Sequence, residues 1–175
     1  MVVFEVKKVF PFKKDLLKEY FMCHRTWMLG MPYKTVEIKP REKCVWDWVI
    51  KDVIDFIIIK WSFVHKFTSI QKEYENYLKI DFENSNHISE FDGDITFKEK
   101  INEEDGSVKC LVKFIIKKLK LKDPILNQLR DPFIGIMKAD YKKFLDNVYE
   151  ILQDEKVRIE VIDGCPWARK SRITF

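Results

Sequence analysis

The sequence predicts an α+β fold in which a curved antiparallel sheet of about six or seven strands wraps around one long C-terminal helix. Three observations carry that expectation. From Lys34 to Lys120 apolar residues recur with a period of two, the signature of strands with one buried face. The separators between these runs are polar and short: Lys39-Pro40-Arg41-Glu42, Glu83-Asn84-Ser85-Asn86, and Asn102 to Gly106. None has room for a crossover helix, so consecutive strands are antiparallel neighbours. After Asp123 the spacing changes to three and four, with apolar residues at 125, 129, 133, 136/137, 141, 144/145, 148 and 152 on one helical face.

Taken in order, residues 2–10 alternate Val2, Phe4, Val6 against Val3, Glu5, Lys7, and Pro11 ends this first strand. Lys13 to Phe21 turns helical, with Leu16, Leu17, Tyr20 and Phe21 on one face. Cys23 to Leu29 forms a second short helix before Gly30-Met31-Pro32. Strands are expected at 34–39, 44–50, 54–68, 72–83, 88–101 and 107–120. Asp123-Pro124 and Asp131-Pro132 each pair a capping residue with proline at a first helical position. The expectation is a break near Arg130 to Pro132, loosened by Gly135, and then a helix over 132–153, ~30 Å long. Val157 to Ile162 reads equally as an edge strand or a packed tail, and 163–175 as a surface tail of one domain spanning 1–175.

Composition narrows the function classes. The chain has 175 residues, of which 46% are hydrophobic and only five are glycine, which excludes a disordered chain. Its net charge of +4 comes from 32 basic and 28 acidic residues that are well mixed. The runs Lys117 to Lys122 and Arg169 to Arg172 read as a solvated strand end and a ragged terminus, and no nucleic acid partner is expected. Four cysteines at 23, 44, 110 and 165 form no C-x-x-C pair, so reduced thiols and a cytoplasmic location are expected. The longest apolar run, Phe56 to Ile59, is far short of a membrane span, and no stable membrane insertion is expected.

His65 stands out on the apolar row between Phe63 and Phe67, where a neutral imidazole needs a polar partner; Asn76, Tyr74 and Tyr141 are candidates. His24 follows Cys23, but adjacent helical residues point about 100° apart, so joint metal ligation is not expected and no metal is assigned. Glu90, Asp92 and Asp94 share an outer strand face, opposite Lys109, Lys113 and Lys117 of the next strand, and read as a solvated charge ladder. Phosphate-loop, dinucleotide-binding, nucleophile-elbow and zinc-protease signatures are absent. No catalytic residue and no cofactor are assigned.

The order of strand, two short helices, antiparallel strands and long helix resembles the helix-grip fold of the START-like superfamily. That superfamily includes the birch-pollen-allergen (Bet v 1) family, polyketide cyclases and coenzyme Q-binding proteins. The phrases Val9-Phe10-Pro11-Phe12, Phe91-Asp92-Gly93-Asp94-Ile95-Thr96-Phe97 and Asp105-Gly106-Ser107 carry the resemblance locally. The glycine-rich loop between the second and third strands of the plant allergens is missing, so its role is not carried over. The resemblance implies a hydrophobic cavity between sheet and helix. Trp61, Phe63, His65, Phe67, Tyr74, Asn76, Leu78, Phe91, Phe97 and Phe114 would face it from the sheet. Phe133, Met137 and Tyr141 would face it from the helix, with Trp27 closing one end. The function so implied is a carrier or sensor, monomeric or homodimeric, for a hydrophobic small molecule such as a lipid, isoprenoid, quinone or polycyclic aromatic. A cyclase or dehydratase with His65 as acid/base, and a protein-interaction module, are the alternatives.

Overall fold

A computed structural model describes residues 2–56 and 59–173. Its seven strands are β1 (Phe4–Phe10), β2 (Thr35–Glu42), β3 (Val45–Phe56), β4 (Ile59–Glu73), β5 (Tyr77–Glu83), β6 (Ile88–Ile101) and β7 (Val108–Leu121). The helices are α1 (Lys14–Phe21), α2 (His24–Gly30), α3 (Pro124–Gln128), α4 (Arg130–Gln153) and α5 (Glu155–Asp163). The strands form one sheet in the order β1-β7-β6-β5-β4-β3-β2, and the pairing is antiparallel throughout. After β1 the chain crosses by α1 and α2 to the far edge and then meanders back until β7 pairs with β1. Helix α4 lies across the inner face, as the two periodicities predict.

From β2 to β5 the strand boundaries differ from expectation: β2 runs on to Glu42, β4 begins at Ile59 rather than at 54, and β5 begins at Tyr77 rather than at 72. β3 does not stop at Ile50, and β4 runs through to Glu73. Ser69 and Gln71, which fall between the expected strands 54–68 and 72–83, are both buried on the inner row, and Ser69 accepts a hydrogen bond from the Trp48 indole at 2.8 Å. The hairpin therefore falls at Tyr74 to Asn76. Tyr74 is 43% exposed, and the Asn76 carboxamide oxygen accepts from Lys14 Nζ at 2.9 Å. Neither side chain faces the interior.

Helix α4 starts two residues before the expected Pro132. Proline is tolerated there because the N–H groups of a first turn have no intrahelical acceptor. The segment 155–163, open between strand and tail, is helical. Asp154 caps it, accepting from the backbone N–H groups of Lys156 and Val157. Val161 and Ile162 are buried beneath it.

The two halves of α4 pack differently. Phe144, Leu145, Val148 and Leu152 are at most 1% exposed and fill the space against β1, β7 and α2. Trp27 of α2 stacks on Phe144 with ring centroids 4.6 Å apart, and Phe21 and Phe114 pack their rings around the pair. The approach depends on Gly30, because a Cβ there would lie 2.7 Å from the Phe144 ring. Asn147 Nδ2 donates to the Gly30 carbonyl at 2.7 Å, holding the end of α2 against α4.

Cys23 and Cys165 are joined as a disulfide, with Cα atoms 5.8 Å apart and a sequence separation of 142. This corrects the expectation of four reduced thiols; Cys44 and Cys110 are the free ones, both buried. Sequence spacing says nothing about a pairing that only the fold brings together. Beyond the disulfide, Arg169 donates to Glu19 at 2.7 Å and to Glu73 at 2.7 and 2.8 Å, and Arg172 donates to Glu73 at 2.8 Å. Lys18 reaches Glu73 at 3.1 Å. The run read as a ragged terminus is thus tied to α1 and to the end of β4. The charge ladder is solvated only in part: Glu90 pairs with Lys118 and Lys120, Lys113 pairs with Glu5, and Asp94, paired with Lys117, is buried at 7% exposure.

Two outcomes follow. Gly30→Ala forces the Phe144 ring to shift, and urea denaturation should show a loss of about 1–3 kcal/mol. Burial alone would raise the Glu73 carboxyl, but hydrogen bonds from Arg172, Arg169 and Lys18 outweigh it and hold the group at about 2. A depressed acid contributes stability above its unfolded value that is lost as pH falls. The wild type should therefore weaken between about pH 4.5 and pH 2, and Glu73→Gln should flatten that limb while lowering stability at neutral pH by about 1–3 kcal/mol.

Candidate functional site

Between the N-terminal half of α4 and strands β3, β4 and β5 lies a cavity of about 260 Å³. Cross-strand pairing sets its floor: Trp48 faces Phe67, Ile50 faces His65 and Asp52 faces Phe63. Ser69 and Gln71 continue the β4 row toward Phe82 and Ile80 of β5. The roof is Phe133, Ile136, Met137, Asp140 and Tyr141, residues three and four apart on α4. Trp27, Met31 and Tyr33 close one end, and exposed Val53 with half-buried Phe133 and Ile136 form part of the rim.

The polar groups in this wall are few and specific. His65 Nε2 lies 2.9 Å from Ser85 Oγ. That oxygen also accepts from the backbone N–H groups of Ile88 at 2.9 Å and His87 at 3.3 Å. With both lone pairs engaged, the hydroxyl is left to donate to Nε2, which puts the ring proton on Nδ1. Burial, and then the neighbouring His87, push the imidazole down to about 3, so it is neutral. None of the partners expected for it, Asn76, Tyr74 or Tyr141, is the one observed. Nearer the helix, burial and then the charge of Asp52 raise Asp140 to about 6, while the Tyr33 hydroxyl, donating to it, works the other way. Burial and then Asp140 raise both phenols, Tyr33 and Tyr141. Gln71 is 6% exposed, and its Oε1 has no hydrogen-bond partner among the described residues.

Of the residues expected at a cavity, Trp27, Phe63, His65, Phe67, Phe133, Met137 and Tyr141 border this one. The others lie elsewhere. Leu78, Phe97 and Phe114 are 0–3% exposed within the solidly packed half. Phe91 sits one ring behind the wall, stacked on Phe82 at 3.8 Å, and Trp61 stacks on Phe63 at 5.6 Å. Tyr74 and Asn76 belong to the β4–β5 turn. Alternation identifies the inner face but not which part of it the helix covers tightly.

Sequence reasoning missed Trp48, Ile50, Asp52 and Asp140. The signal was present for each. Trp46, Trp48, Ile50, Asp52 and Ile54 alternate without interruption once β3 is not ended at Ile50. Asp140 falls four residues after Ile136 and seven after Phe133, on the apolar stripe of α4.

A second cluster lies outside the cavity. The sulfurs of Cys23 and Cys165 and the His24 ring come within 4.8 Å of one another. The 100° argument fails here because Cys23 is the extended residue preceding α2, and Cys165 supplies a third group from the far end of the chain. With the two sulfurs bonded to each other, the trio is not a ligand set in this form.

No family model matches the chain, and no curated protein matches it. Solved structures share its fold. An aromatase/cyclase, Zhui, from Streptomyces sp. R1128 superposes with a TM-score of 0.57 at 10% identity, covering 87% of this chain and 96% of that one. A Thermus thermophilus protein, TTHA0849, gives 0.53 at 12% identity over 83% and 93%. The di-domain aromatase/cyclase StfQ from the steffimycin biosynthetic pathway gives 0.52 at 10% identity over 84% of this chain and 49% of its own. The likeness is one of architecture, and the chain has the helix-grip fold. Among the described residues, no helix is long and apolar enough to cross a membrane.

His65 and Asp140 titrate against folding in opposite senses. Below about pH 6.5 the unfolded chain protonates a histidine that the folded protein keeps neutral, so His65 lowers stability as pH falls toward 3. Asp140 binds its proton more tightly when folded, so its contribution rises as pH falls from about 6 toward 3.8. His65→Gln should hold or gain stability between pH 6.5 and 4.5, where Asp140→Asn should lose more than the wild type. Urea denaturation across that range should separate the two by about 3–4 kcal/mol.

Proposed function

We propose that this helix-grip protein binds a compact hydrophobic molecule in the cavity beneath α4, as a carrier or sensor. The observation that carries the reading is the contrast between the two halves of the interior. Around Phe144 the rings interlock, whereas around Phe67 and Met137 about 260 Å³ stays open behind an aromatic wall. Rings that face empty space forgo dispersion contacts, which an apolar ligand restores while leaving water itself. The volume sits below the ~300–1,000 Å³ of drug-sized sites, which favours one or two fused rings over a long-chain lipid held entirely inside. The fold neighbours named as aromatase/cyclases support a ring-shaped ligand.

A second reading, acid/base catalysis on such a ligand, is favoured by one observation. Asp140, held at about 6 and in contact with Tyr33, lies in the range useful to a general acid or base at neutral pH. His65, the residue first suggested for that role, is too weak a base when held at about 3.

Native mass spectrometry of freshly purified protein, followed by solvent extraction, tests the binding reading directly. In parallel, N-phenyl-1-naphthylamine should quench emission from Trp27 and Trp48 on titration. Ile50→Trp, which fills the cavity from its floor, should weaken that probe at least tenfold while the protein stays folded. Absence of any co-purified ligand together with equal probe affinity in this variant would overturn the proposal.

A further inference from the structure

Resting on the reading of the cavity as a binding site, we infer that its ligand carries a protonated amine on an aromatic or otherwise apolar body. The charged groups of the wall are carboxylates. Asp52 on β3 and Asp140 on α4 both border the space, and no lysine or arginine does so among the described residues. Asp52 Oδ1 accepts from the Val53 backbone N–H at 2.8 Å, and Asp140 accepts from the Tyr33 hydroxyl. A carboxylate has about four lone-pair sites, so each retains acceptor capacity beyond its one donor. Gln71, 94% buried, lies eight residues along β4 from the Phe63 that pairs with Asp52, ~26 Å at a strand's rise, and its amide oxygen, for which the described residues offer no donor, marks a separate acceptor at the opposite end of the cavity.

Rings complete the arrangement. Tyr33 and Tyr141 interact with Asp140 and Phe133 lines the same cavity, and a cation close to their faces is stabilised by the ring quadrupoles as well as by the carboxylate charge. An ammonium donates up to three hydrogen bonds and relieves the repulsion between Asp52 and Asp140, which already act on one another electrostatically. An acid of the same shape does the reverse, since it adds a third negative charge to a desolvated site with no basic partner in the wall. A neutral alcohol keeps one donor and no charge. The three ligands are therefore ranked amine, alcohol, acid.

The experiment is isothermal titration calorimetry with three probes of one shape: 2-(1-naphthyl)ethylamine, 2-(1-naphthyl)ethanol and 1-naphthaleneacetic acid, at pH 7.5. The wild type should bind the amine at least tenfold more tightly than the alcohol and should bind the acid most weakly. Asp140→Asn and Asp52→Asn, both nearly isosteric, should each reduce the preference for amine over alcohol at least threefold. Far-UV and near-UV circular dichroism spectra that superpose on those of the wild type serve as the control for a folded cavity. If the alcohol or the acid binds as tightly as the amine, the charge assignment is overturned while the cavity reading stands. If none of the three binds and N-phenyl-1-naphthylamine does not bind either, the binding reading itself falls.

Discussion

The stack of Trp27 on Phe144 is the contact on which the rest of this interior depends. Gly30 brings α2 close enough for the two rings to lie 4.6 Å apart, and Asn147 secures the helix end through the Gly30 carbonyl. Phe114 of the sheet packs edge-on against both rings, so one aromatic cluster joins α2, α4 and β7. This fixes the C-terminal half of α4 against β1 and β7. A 24-residue helix spans ~36 Å, and a curved sheet cannot follow a straight rod of that length at constant distance. Held tightly at one half, α4 leaves space under the other. Trp27 is shared between the two regions, since it also meets Trp48 edge-on at 5.8 Å and borders the open side.

Polar groups are distributed to match. On the closed side the buried charges, Lys18 and Glu19, lie at the margin and are answered by Glu73 and Arg169. The disulfide and these ion pairs hold the C-terminal segment against α1, so the end of the chain covers the seam where the first helix meets the sheet. On the open side the buried polar groups are uncharged or anionic and lie in the wall itself. An unsatisfied polar atom costs ~1–3 kcal/mol when buried dry, so Gln71 Oε1 is difficult to account for as core packing and simple to account for as a ligand contact.

Much of this architecture is legible in the sequence, because both periodicities report burial. The alternation from Lys34 to Lys120 and the three-four spacing after Asp123 give the sheet, its inner face and the covering helix. The predicted helices at 13–21 and 23–29 fall within one residue of α1 and α2 at each end. What periodicity cannot give is depth. Phe97 and Phe63 share one inner face, yet one packs against Phe21 of α1 and the other meets the cavity. Polar residues on an apolar row mislead for a related reason: Ser69 and Gln71 fall between the expected strands, and the partner that satisfies Ser69, the Trp48 indole, lies on the neighbouring strand. Asp52 was lost to the same error on β3. The pairing of Cys23 with Cys165 and of Arg169 with Glu19 spans most of the chain, and no local pattern encodes it.

Charge state completes the picture of the open side. Burial acts on His65, Tyr33, Tyr141 and Asp140 there, and in each case it opposes the ionised form. For His65, Tyr33 and Tyr141 the result is neutrality near pH 7, since the imidazole is pushed down and the phenols up. For Asp140 burial and Asp52 raise the carboxyl only to about 6, partly countered by the hydrogen bond from Tyr33, so it remains mostly ionised at neutral pH. Desolvation thus removes the one positive charge that the described residues of the wall could have carried and leaves the negative charge in place. A cavity with aromatic sides and carboxylates at one end discriminates by sign as well as by size, and the same burial that excludes water from the site strengthens that discrimination.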